Sequence, residues 1–520
     1  MSLFFTPTGD DAEDRRIRRR YEAGELRRLA NGVYLEAEAE PDDMVIRRNW
    51  PRLVAKLVPG AVVTDRSGIE ARPVQHVQNG PHVIYVSADR SRSVIELPGL
   101  SINIRKGPGN VAGDIPNLGT HLAGPERKLL DNLAPSRARG DAARTLGEAA
   151  VEAKLDEFCR SSGADFLNSI RDRARHLAPL ISREDEFRKL NAMIGTLLNT
   201  REEKMVTPQG RARAAGTPID ASCVERLAKL NAYLHDRAPQ AIVNNDTSQE
   251  RLMAGSFIEA YFSNYIEGTE FAVDQATEIV FEGRIPEDRP EDGHDVLGTY
   301  LQLIEAGGRP PSGSDFAGFL DEIKTRHARL MESRPGTRPG QFKTVANRAG
   351  DTSFVAPDLV EGTLKEGHAM MRGVDDPFRR AVFLHYMLAE VHPFNDGNGR
   401  ISRIVMTREL LGAGLSRIVI PTVFRDDYLD SLRALSRRDD PSIFVRSLEF
   451  CQRVSAACSA SSVSEAIDVW AKAYAFCEDS RQARLSLPNP ALNVTVNRGV
   501  SAPDDYWEAV RASAGRPFGP

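Results

Sequence analysis

Cysteine is scarce in this sequence. The 520 residues include five cysteines, and no two of them form a C-x-x-C pair. A small disulfide-bonded scaffold or a structural zinc site requires more cysteines at closer spacing. The scarcity therefore excludes both classes and favours a reducing compartment such as the cytoplasm. The five are Cys159, Cys223, Cys451, Cys458 and Cys477.

Long apolar runs are absent as well. No stretch approaches the roughly 20 apolar residues that a membrane-spanning helix needs. The opening residues, MSLFFTPTGDDAEDRR, contain no apolar core of signal-peptide length. The net charge of -5 is small for this length, which argues against a polycationic nucleic-acid binder, although one segment could still bind nucleic acid. These absences predict a soluble cytoplasmic protein without a membrane partner.

The composition that remains is ordinary for a globular protein, 41% hydrophobic and 27% charged. The length predicts about three domains, or two large ones. Short β-prone runs such as His82–Ala88 occur in the first part, whereas helical periodicity dominates from about residue 145. The predicted fold class is therefore mainly α, with a smaller α+β domain in front. The predicted limits are 1–135 for the α+β domain, 136–200 for a helical extension, 201–240 for a linker and connecting helix, 241–475 for the main helical domain and 476–520 for a weakly ordered tail.

One stretch concentrates chemistry-bearing residues: HPFNDGNGRISR, from His392 to Arg403. It lies between two predicted helices, and its glycines let backbone amides approach a ligand where the second helix begins, an end that attracts anions. Arg400 and Arg403 add positive charge suited to phosphate oxygens. Asp396 is a hard oxygen ligand for Mg²⁺, and His392 can accept a proton near neutral pH. The stretch predicts a phosphate cradle with a metal and a base, suited to transfer from a nucleotide to a hydroxyl.

The same stretch matches the pattern H-x-F-x-[D/E]-G-N-G-R-x-x-R at every defined position, and so resembles the Fic (filamentation induced by cAMP) family. The resemblance implies a helical Fic domain with a β-hairpin flap over 241–475. It implies a protein adenylyltransferase that transfers AMP from ATP to a Ser, Thr or Tyr hydroxyl of a protein, with Mg²⁺. By this resemblance His392 is the base, Asp396 binds Mg²⁺, and Arg400 and Arg403 hold the triphosphate, Arg403 nearest the γ end. The cradle for the α- and β-phosphates is expected from Gly397, Asn398 and Gly399.

Two further features fit the resemblance. Gly399 stands where relatives that phosphorylate carry a bulkier residue, so it favours AMP transfer by leaving room for pyrophosphate. The segment Phe342–Val355 predicts a hairpin and resembles the family's flap, which aligns the target side chain by main-chain pairing; an ordinary surface hairpin is the alternative. His327 and His385 are predicted to be packing residues.

A second motif precedes the first in the chain. SNYIEG ends an amphipathic helix and resembles the [S/T]-x-x-x-E-[G/N] inhibitory helix of Fic proteins through Ser263, Glu267 and Gly268. A carboxylate that reaches Arg403 would satisfy that arginine internally, so the γ-phosphate could no longer pair with it. The resemblance implies autoinhibition through Glu267, self-AMPylation once the restraint is removed, and control by a homodimer. It also leaves open the removal of AMP, with Glu267 positioning water.

The front of the chain indicates a different partner. Arg15–Arg20 places five arginines around Ile17, which suits contacts with a phosphate backbone. Residues 10–200 resemble AbiEi-type antitoxins of toxin–antitoxin pairs, through LRRLANGVYL, PGAVVTDRSGIEA and LAGPERKLLDNLAPS, and this implies a winged-helix-like DNA-binding domain over 1–135. A solvated helix face or a protein-binding surface is the alternative. The competing function is therefore a DNA-binding transcriptional regulator that uses the Fic core as a nucleotide sensor.

Overall fold

The chain forms two compact units, Met1–Gly216 and Thr217–Pro520. This computed structural model describes residues 3–37, 41–76, 80–138, 140–198, 205–237, 242–244, 248–306, 315–350, 352–478, 480–481 and 483–489. The division falls within the predicted linker 201–240. The part of the predicted tail beyond residue 489 lies outside the described residues, and the domain limits stay a prediction. No helix in the described ranges is both long and apolar enough to cross a bilayer.

The first unit begins with a small antiparallel sheet of strand order β1-β3-β2. Its strands are β1 Leu3–Phe5, β2 Leu26–Ala30 and β3 Val33–Glu36. Helix α1, Asp11–Glu22, lies between the first two strands in the chain and is capped by Asp10, whose side chain accepts a hydrogen bond from the N–H of Ala12. The winged-helix likeness of this part stays a prediction.

A seven-stranded sheet follows, in the order β7-β8-β6-β4-β10-β9 with β5 paired to β6. Strands β6 and β8 run parallel, and Tyr85 pairs with Asn103. Ile84, Val86, Ile102 and Ile104 all belong to a buried apolar core. The strands are β4 Val62–Val63, β5 Val74–Gln75, β6 His82–Ala88, β7 Ser93–Leu97, β8 Leu100–Lys106, β9 Ile115–Asn117 and β10 Thr120–Leu122.

Helices complete the first unit and confirm that it is an α+β structure. A second apolar core lies among the later helices of this unit and includes Leu130, Leu155, Ile170 and Ile194. The long α6 bends at Gly163, whose φ of 78° is not helical. The helices are α2 Asp42–Arg48, α3 Trp50–Leu57, α4 Asp65–Glu70, α5 Pro125–Leu133, α6 Gly147–Leu177, α7 Glu184–Leu197 and α8 Pro208–Ala214.

The second unit is mainly helical, as predicted, and contains one hairpin. The hairpin strands are β11 Arg348–Ala349 and β12 Thr352–Ser353, shorter than the predicted Phe342–Val355. The helices are α9 Ala221–Asp236, α10 Gln249–Ile266, α11 Val273–Thr277, α12 Pro290–Ala306, α13 Phe316–Leu330, α14 Val360–Met371, α15 Pro377–Val391, α16 Asn398–Gly412, α17 Arg425–Arg438, α18 Pro441–Ala457 and α19 Val463–Ala471.

Helices α15 and α16 pack against each other at the centre of this unit. Both are buried on nearly all sides, which is the expected state of helices without a clear polar face. Helix α15 starts as the sequence predicts: the Asp376 side chain caps it by accepting from the N–H of Arg379 at 2.8 Å, and Pro377 occupies the first turn. The short connection between α15 and α16 is the motif His392–Arg403.

We expect Asp376→Ala to destabilise the second unit by about 1 kcal/mol, because one N–H group at the start of α15 loses its capping acceptor. The measurement is the free energy of unfolding in urea. Asp375→Ala is the matched control, since Asp375 is the exposed neighbour. Equal stability of the two variants would contradict the role of the cap.

Candidate active site

The motif loop is closed by an exchange of hydrogen bonds between Asn398 and Phe394. The Asn398 side chain accepts from the N–H of Phe394 at 2.8 Å and donates to the carbonyl of the same residue at 2.9 Å. Both side chains are buried. Asn398, predicted to line the phosphate cradle, therefore shapes the loop through its side chain, and only its backbone is left to face an anion.

His327 on α13 supports this loop from below. Its ring lies flat against Phe394, with centroids 3.7 Å apart. Its Nε2 donates to the carbonyl of Asp396 at 2.9 Å, and its Nδ1 accepts from the N–H of Gly340 at 2.9 Å. Burial lowers the pKa of His327 to about 4, so the ring is neutral near pH 7 and can do both. The sequence predicted a packing role, but not that the packing partner is the motif loop.

Gly397 is required by the turn into α16. Its φ is +74°, a backbone conformation that residues other than glycine rarely adopt. A Cβ at this position would also lie 2.8 Å from the sulfur of Met331. The Asp396 carboxylate accepts from the N–H of Gly397 at 2.7 Å. The loop thus reaches the N-terminus of α16, where unpaired N–H groups can meet an anion.

His392, which the sequence predicts to be the base, directly follows the last residue of α15. It ends α15 in a left-handed conformation, with φ 53°, and it lies on a cavity. Its Nδ1 contacts the carbonyl of Ala389 at 3.2 Å. Because a carbonyl only accepts, Nδ1 carries the proton and the lone pair is on Nε2. Phe354 stacks on the ring at 3.7 Å between centroids, and burial lowers the pKa of His392 to about 4.

Arg403 is buried and held by the second motif. Its Nε donates to the hydroxyl of Ser263 and its Nη2 to the carbonyl of Ser263, both at 2.9 Å. The same Nη2 pairs with the Glu267 carboxylate at 2.6 Å. The Tyr428 hydroxyl lies 3.0 Å from Nε2 of His385. A buried guanidinium requires such partners.

Gly399 and Gly268 make the Glu267–Arg403 pair possible. A Cβ on Gly399 would overlap the Glu267 carboxylate oxygen, so a larger residue would block this contact. Gly268 has a φ of +87° directly after α10 and ends the helix that carries Ser263. The sequence pattern predicted the ion pair, and the structure brings its members together across 136 positions of the chain.

Arg400 differs from the expectation that it faces the nucleotide. Its Nη1 forms an ion pair with Asp295 of α12 at 2.6 Å, and both side chains are almost fully buried. Asp295 also accepts from Arg334 at 2.9 Å. Arg400 is not among the residues that line the cavity beside His392. In this structure it anchors α16 to α12, and its contact with phosphate stays a prediction.

Asp396 is suited to one limited kind of metal site. Its carboxylate is half exposed, and its other oxygen lies 3.8 Å from Arg400. In the part of the chain that the structure describes, no group of three or more His, Cys, Asp or Glu side chains could enclose an ion. Mg²⁺ commonly binds one or two carboxylates together with nucleotide phosphates and water. Asp396 therefore fits an ion that arrives with a nucleotide.

The cavity beside His392 has a volume of about 780 Å³, and residues of the motif, the hairpin and α17 line it. His392, Gly399, Arg403 and Glu267 line one part of it, and the hairpin β11–β12 borders it through Gly350, Thr352 and Phe354. Helix α17 contributes Tyr428, Leu429, Leu432 and Arg437. This size is in the range of small-molecule sites.

The hairpin is fastened to the motif loop. The N–H of Lys343 donates to the carbonyl of Pro393 at 2.9 Å, and the Asn347 amide donates to the carbonyl of Phe394 at 3.0 Å. On the other side, Arg437 donates to the Thr352 hydroxyl at 2.8 Å. The hairpin therefore has a defined position beside His392.

Sequence reasoning missed four residues that set this geometry: Asp295, Phe354, Tyr428 and Asn347. The aromatic Phe354 within the predicted hairpin was the one available signal, because a hairpin that borders a base can present a ring to it. Asn347 lies in the same predicted segment, whereas Asp295 on α12 and Tyr428 on α17 lie on separate elements. No local pattern connects these two with the motif.

Comparison with known proteins gives the following results. Residues 319–410 match the model of the Fic/DOC family. A protein from Caenorhabditis briggsae named protein adenylyltransferase fic-1 is 27% identical over 238 residues, 44% of this chain and 46% of that protein. A Drosophila yakuba protein named protein adenylyltransferase Fic is 40% identical over 207 residues, 37% of this chain and 40% of that protein. The chain thus spans less than half the length of these relatives.

One solved structure is a Fic-domain-containing signaling protein from Bacteroides thetaiotaomicron. It is 19% identical to this chain, with a TM-score of 0.36. The alignment covers 47% of this chain and 98% of that one.

We expect the second unit to lose stability as the pH falls from 6 to 5. Burial lowers the pKa of His327 and His392 to about 4 and that of His385 to about 3. Between these values and the ordinary value of 6.5, the unfolded chain binds protons that the folded chain does not. Each of these histidines then lowers the free energy of unfolding by up to about 1.4 kcal/mol for each unit by which the pH falls.

The measurement is the free energy of unfolding in urea across this pH range. His385→Gln should give a smaller slope against pH than the parent protein. His235→Gln is the control, because His235 is exposed. The slope of this variant should match that of the parent protein. A His385→Gln slope equal to that of the parent would contradict the assignment.

Proposed function

We propose that this chain, whose residues 319–410 belong to the Fic/DOC family, is a protein adenylyltransferase restrained by Glu267. The observation that carries the proposal is that His392 and Arg403 line one cavity, in which the Glu267 carboxylate forms an ion pair with Arg403. The names of the curated relatives support the same reaction. ATP is the nucleotide substrate and a protein hydroxyl is the acceptor.

In the proposed reaction the hydroxyl oxygen of the target attacks the α-phosphorus of ATP. The new P–O bond forms as the bond to the bridging oxygen breaks, and pyrophosphate leaves. His392 accepts the hydroxyl proton on Nε2. The Ala389 contact and the stacked Phe354 ring hold the imidazole in place, so little reorientation is needed in the transition state.

The N-terminus of α16 is the proposed phosphate site. Backbone N–H groups of Gly397, Asn398 and Gly399 would meet the α- and β-phosphates, and Arg403 would bind the γ-phosphate. Arg400, predicted to hold the triphosphate, would have to exchange its pair with Asp295 for a phosphate oxygen. Asp396 would hold Mg²⁺, which when bound neutralises phosphate charge and orients the triphosphate. The apolar part of the cavity, Leu429 and Leu432, suits the adenine ring.

The target would reach the cavity beside the hairpin β11–β12. Each strand of the hairpin is only two residues long. The hairpin backbone can pair with an extended target segment. Because the Lys343 and Arg437 contacts fix the hairpin on both sides, a target paired to it would present its hydroxyl at a set distance from His392.

Glu267 would restrain the enzyme by competing with the γ-phosphate. Arg403 has few donors left once Ser263 and Glu267 are bonded. A triphosphate could enter only without its γ-phosphate contact, which would misalign the α-phosphorus. Removing the carboxylate would free one charge-assisted contact for ATP.

We expect Glu267→Gly to raise AMP transfer by about tenfold or more, because the γ-phosphate gains the Arg403 contact. The measurement is incorporation of ³²P from α-labelled ATP with Mg²⁺, into the protein itself and into candidate targets, together with intact mass. Glu270→Gly is the matched control: Glu270 is an exposed carboxylate three residues further on, and its loss should leave the rate unchanged.

Adding His392→Ala to Glu267→Gly should abolish the incorporation, because the hydroxyl loses its base. Equal incorporation by Glu267→Gly and the parent protein would refute the restraint. Incorporation that persists in the double variant would refute the role of His392.

One observation keeps a second function in view, a DNA-binding regulator. Helix α1 exposes Arg15, Arg16, Arg18 and Arg19 beside the small sheet of the first unit. Exposed arginines on a helix suit a phosphate backbone.

We expect that any DNA binding through α1 weakens with salt and is reduced by Arg15→Ala/Arg18→Ala/Arg19→Ala, because each arginine that meets a phosphate releases a counterion. A gel shift at several salt concentrations, with DNA upstream of the gene, measures this. The matched control is Arg52→Ala/Arg160→Ala/Arg188→Ala, which removes equal charge elsewhere in the unit. A shift that the α1 variant leaves unchanged would exclude α1 as the DNA-binding element.

A further inference from the structure

The first unit contains a second cavity, of about 400 Å³, that the proposed AMP transfer does not use. It lies against strands β6 and β8. Along β8, Ile102 and Ile104 belong to the apolar core, so by alternation Asn103 and Arg105 lie on the opposite face. Tyr85 of β6 pairs with Asn103 and shares that face. The polar face of the sheet thus forms much of the cavity floor, and Ile104 also contributes to the lining.

The lining of this cavity is strongly positive. Four arginines contribute to it, and among the described residues that line it none is an aspartate or a glutamate. Ser93, Asn103 and Ser136 add hydrogen-bonding groups, and Tyr85 adds an aromatic ring. The four arginines are Arg92, Arg105, Arg137 and Arg144. A concave site lined by charge of one sign concentrates ligands of the opposite sign.

Two of these arginines are held in place by buried carboxylates beneath the cavity. Arg105 pairs with Asp131 at 3.1 Å, and Arg144 pairs with Asp65 at 3.3 Å. Both carboxylates are at most 1% exposed. Asp65 has a φ of 51°, an uncommon conformation for aspartate, and Nε of Arg105 also lies 3.6 Å from its carboxylate. The structure therefore holds charge under the cavity in a fixed arrangement.

The other two arginines are exposed and have no acidic partner. Within the described ranges, neither Arg92 nor Arg137 forms an ion pair with another residue. Arg92 precedes β7, and Arg137 lies on the segment after α5. They approach the cavity from different elements, so a ligand between them would meet a guanidinium on each side. Guanidinium groups pair with phosphate oxygens through two parallel hydrogen bonds.

We propose that this cavity binds a small phosphate-bearing ligand of about nucleotide size. Its volume is within the range of small-molecule sites, and Tyr85 offers a surface for a ring attached to the phosphate. A concave pocket favours such a ligand over duplex DNA, which needs charge along an exposed ridge or helix. The proposal does not depend on AMP transfer, because it uses other residues in the other unit.

The test is calorimetric titration of the full chain with AMP and, separately, with inorganic tripolyphosphate. Arg92→Ala/Arg137→Ala should weaken binding of at least one probe by about tenfold or more. Arg52→Ala/Arg188→Ala is the matched control, with the same loss of charge at exposed positions of the first unit that do not line the cavity. Arg403→Ala separates the two sites, and binding through the first unit should survive it. Unchanged thermal unfolding shows that each variant is folded.

Three outcomes would overturn the proposal. Binding that is lost in Arg403→Ala and kept in Arg92→Ala/Arg137→Ala would place the probes at the other site. Binding of neither probe to any variant would leave the cavity without a phosphate ligand. Duplex DNA that binds through Arg92 and Arg137, when neither small probe does, would assign the surface to nucleic acid. Arg92→Glu/Arg137→Glu provides a second variant, and it should remove the binding completely.

Discussion

The candidate site of the second unit depends on the buried cation Arg403. Arg403 is only 4% exposed at its side chain, and a guanidinium removed from water must be paired. Ser263 and Glu267 supply the partners from α10. A triphosphate could supply them in their place, and both cannot use the same donors at once. In the proposed enzyme, restraint and substrate binding are thus two ways of satisfying the same charge.

The proposed competition would take place in the cavity that His392 also lines. The loop that carries His392 is closed by Asn398 and supported by the neutral ring of His327. Helix α16 begins directly after Gly397, which permits the left-handed turn that leads into it. None of these contacts involves Glu267, so in the proposed enzyme they would remain when Glu267 leaves Arg403. The proposed activation then requires a change in one side chain's position and not a rearrangement of the fold.

The two units use arginine in different ways. In the second unit Arg403 is buried and satisfied internally. In the first unit Arg92 and Arg137 line a cavity, and no described residue forms an ion pair with them. The sheet of the first unit separates an apolar face from a charged one, because successive residues on a strand point to opposite sides. The two proposals therefore rest on separate residues and can fail independently.

The sequence alone determined what depends on neighbours in the chain. Asp376 and Pro377 start α15, and Gly268 follows the end of α10. The spacing from His392 to Arg403 places an imidazole and a guanidinium on either side of a helix N-terminus. The mainly helical class and the α+β front also followed from periodicity. These features were predictable because capping, turn geometry and periodicity act over a few residues.

Only the tertiary structure decided which charges meet. Arg400 was expected at the phosphates and instead pairs with Asp295, more than 100 positions earlier in the chain. His327, Phe354 and Tyr428 also reach the site from elements that carry no motif. The residue types show what each side chain can do. Its partner depends on how helices pack, and packing is set by the whole core at once.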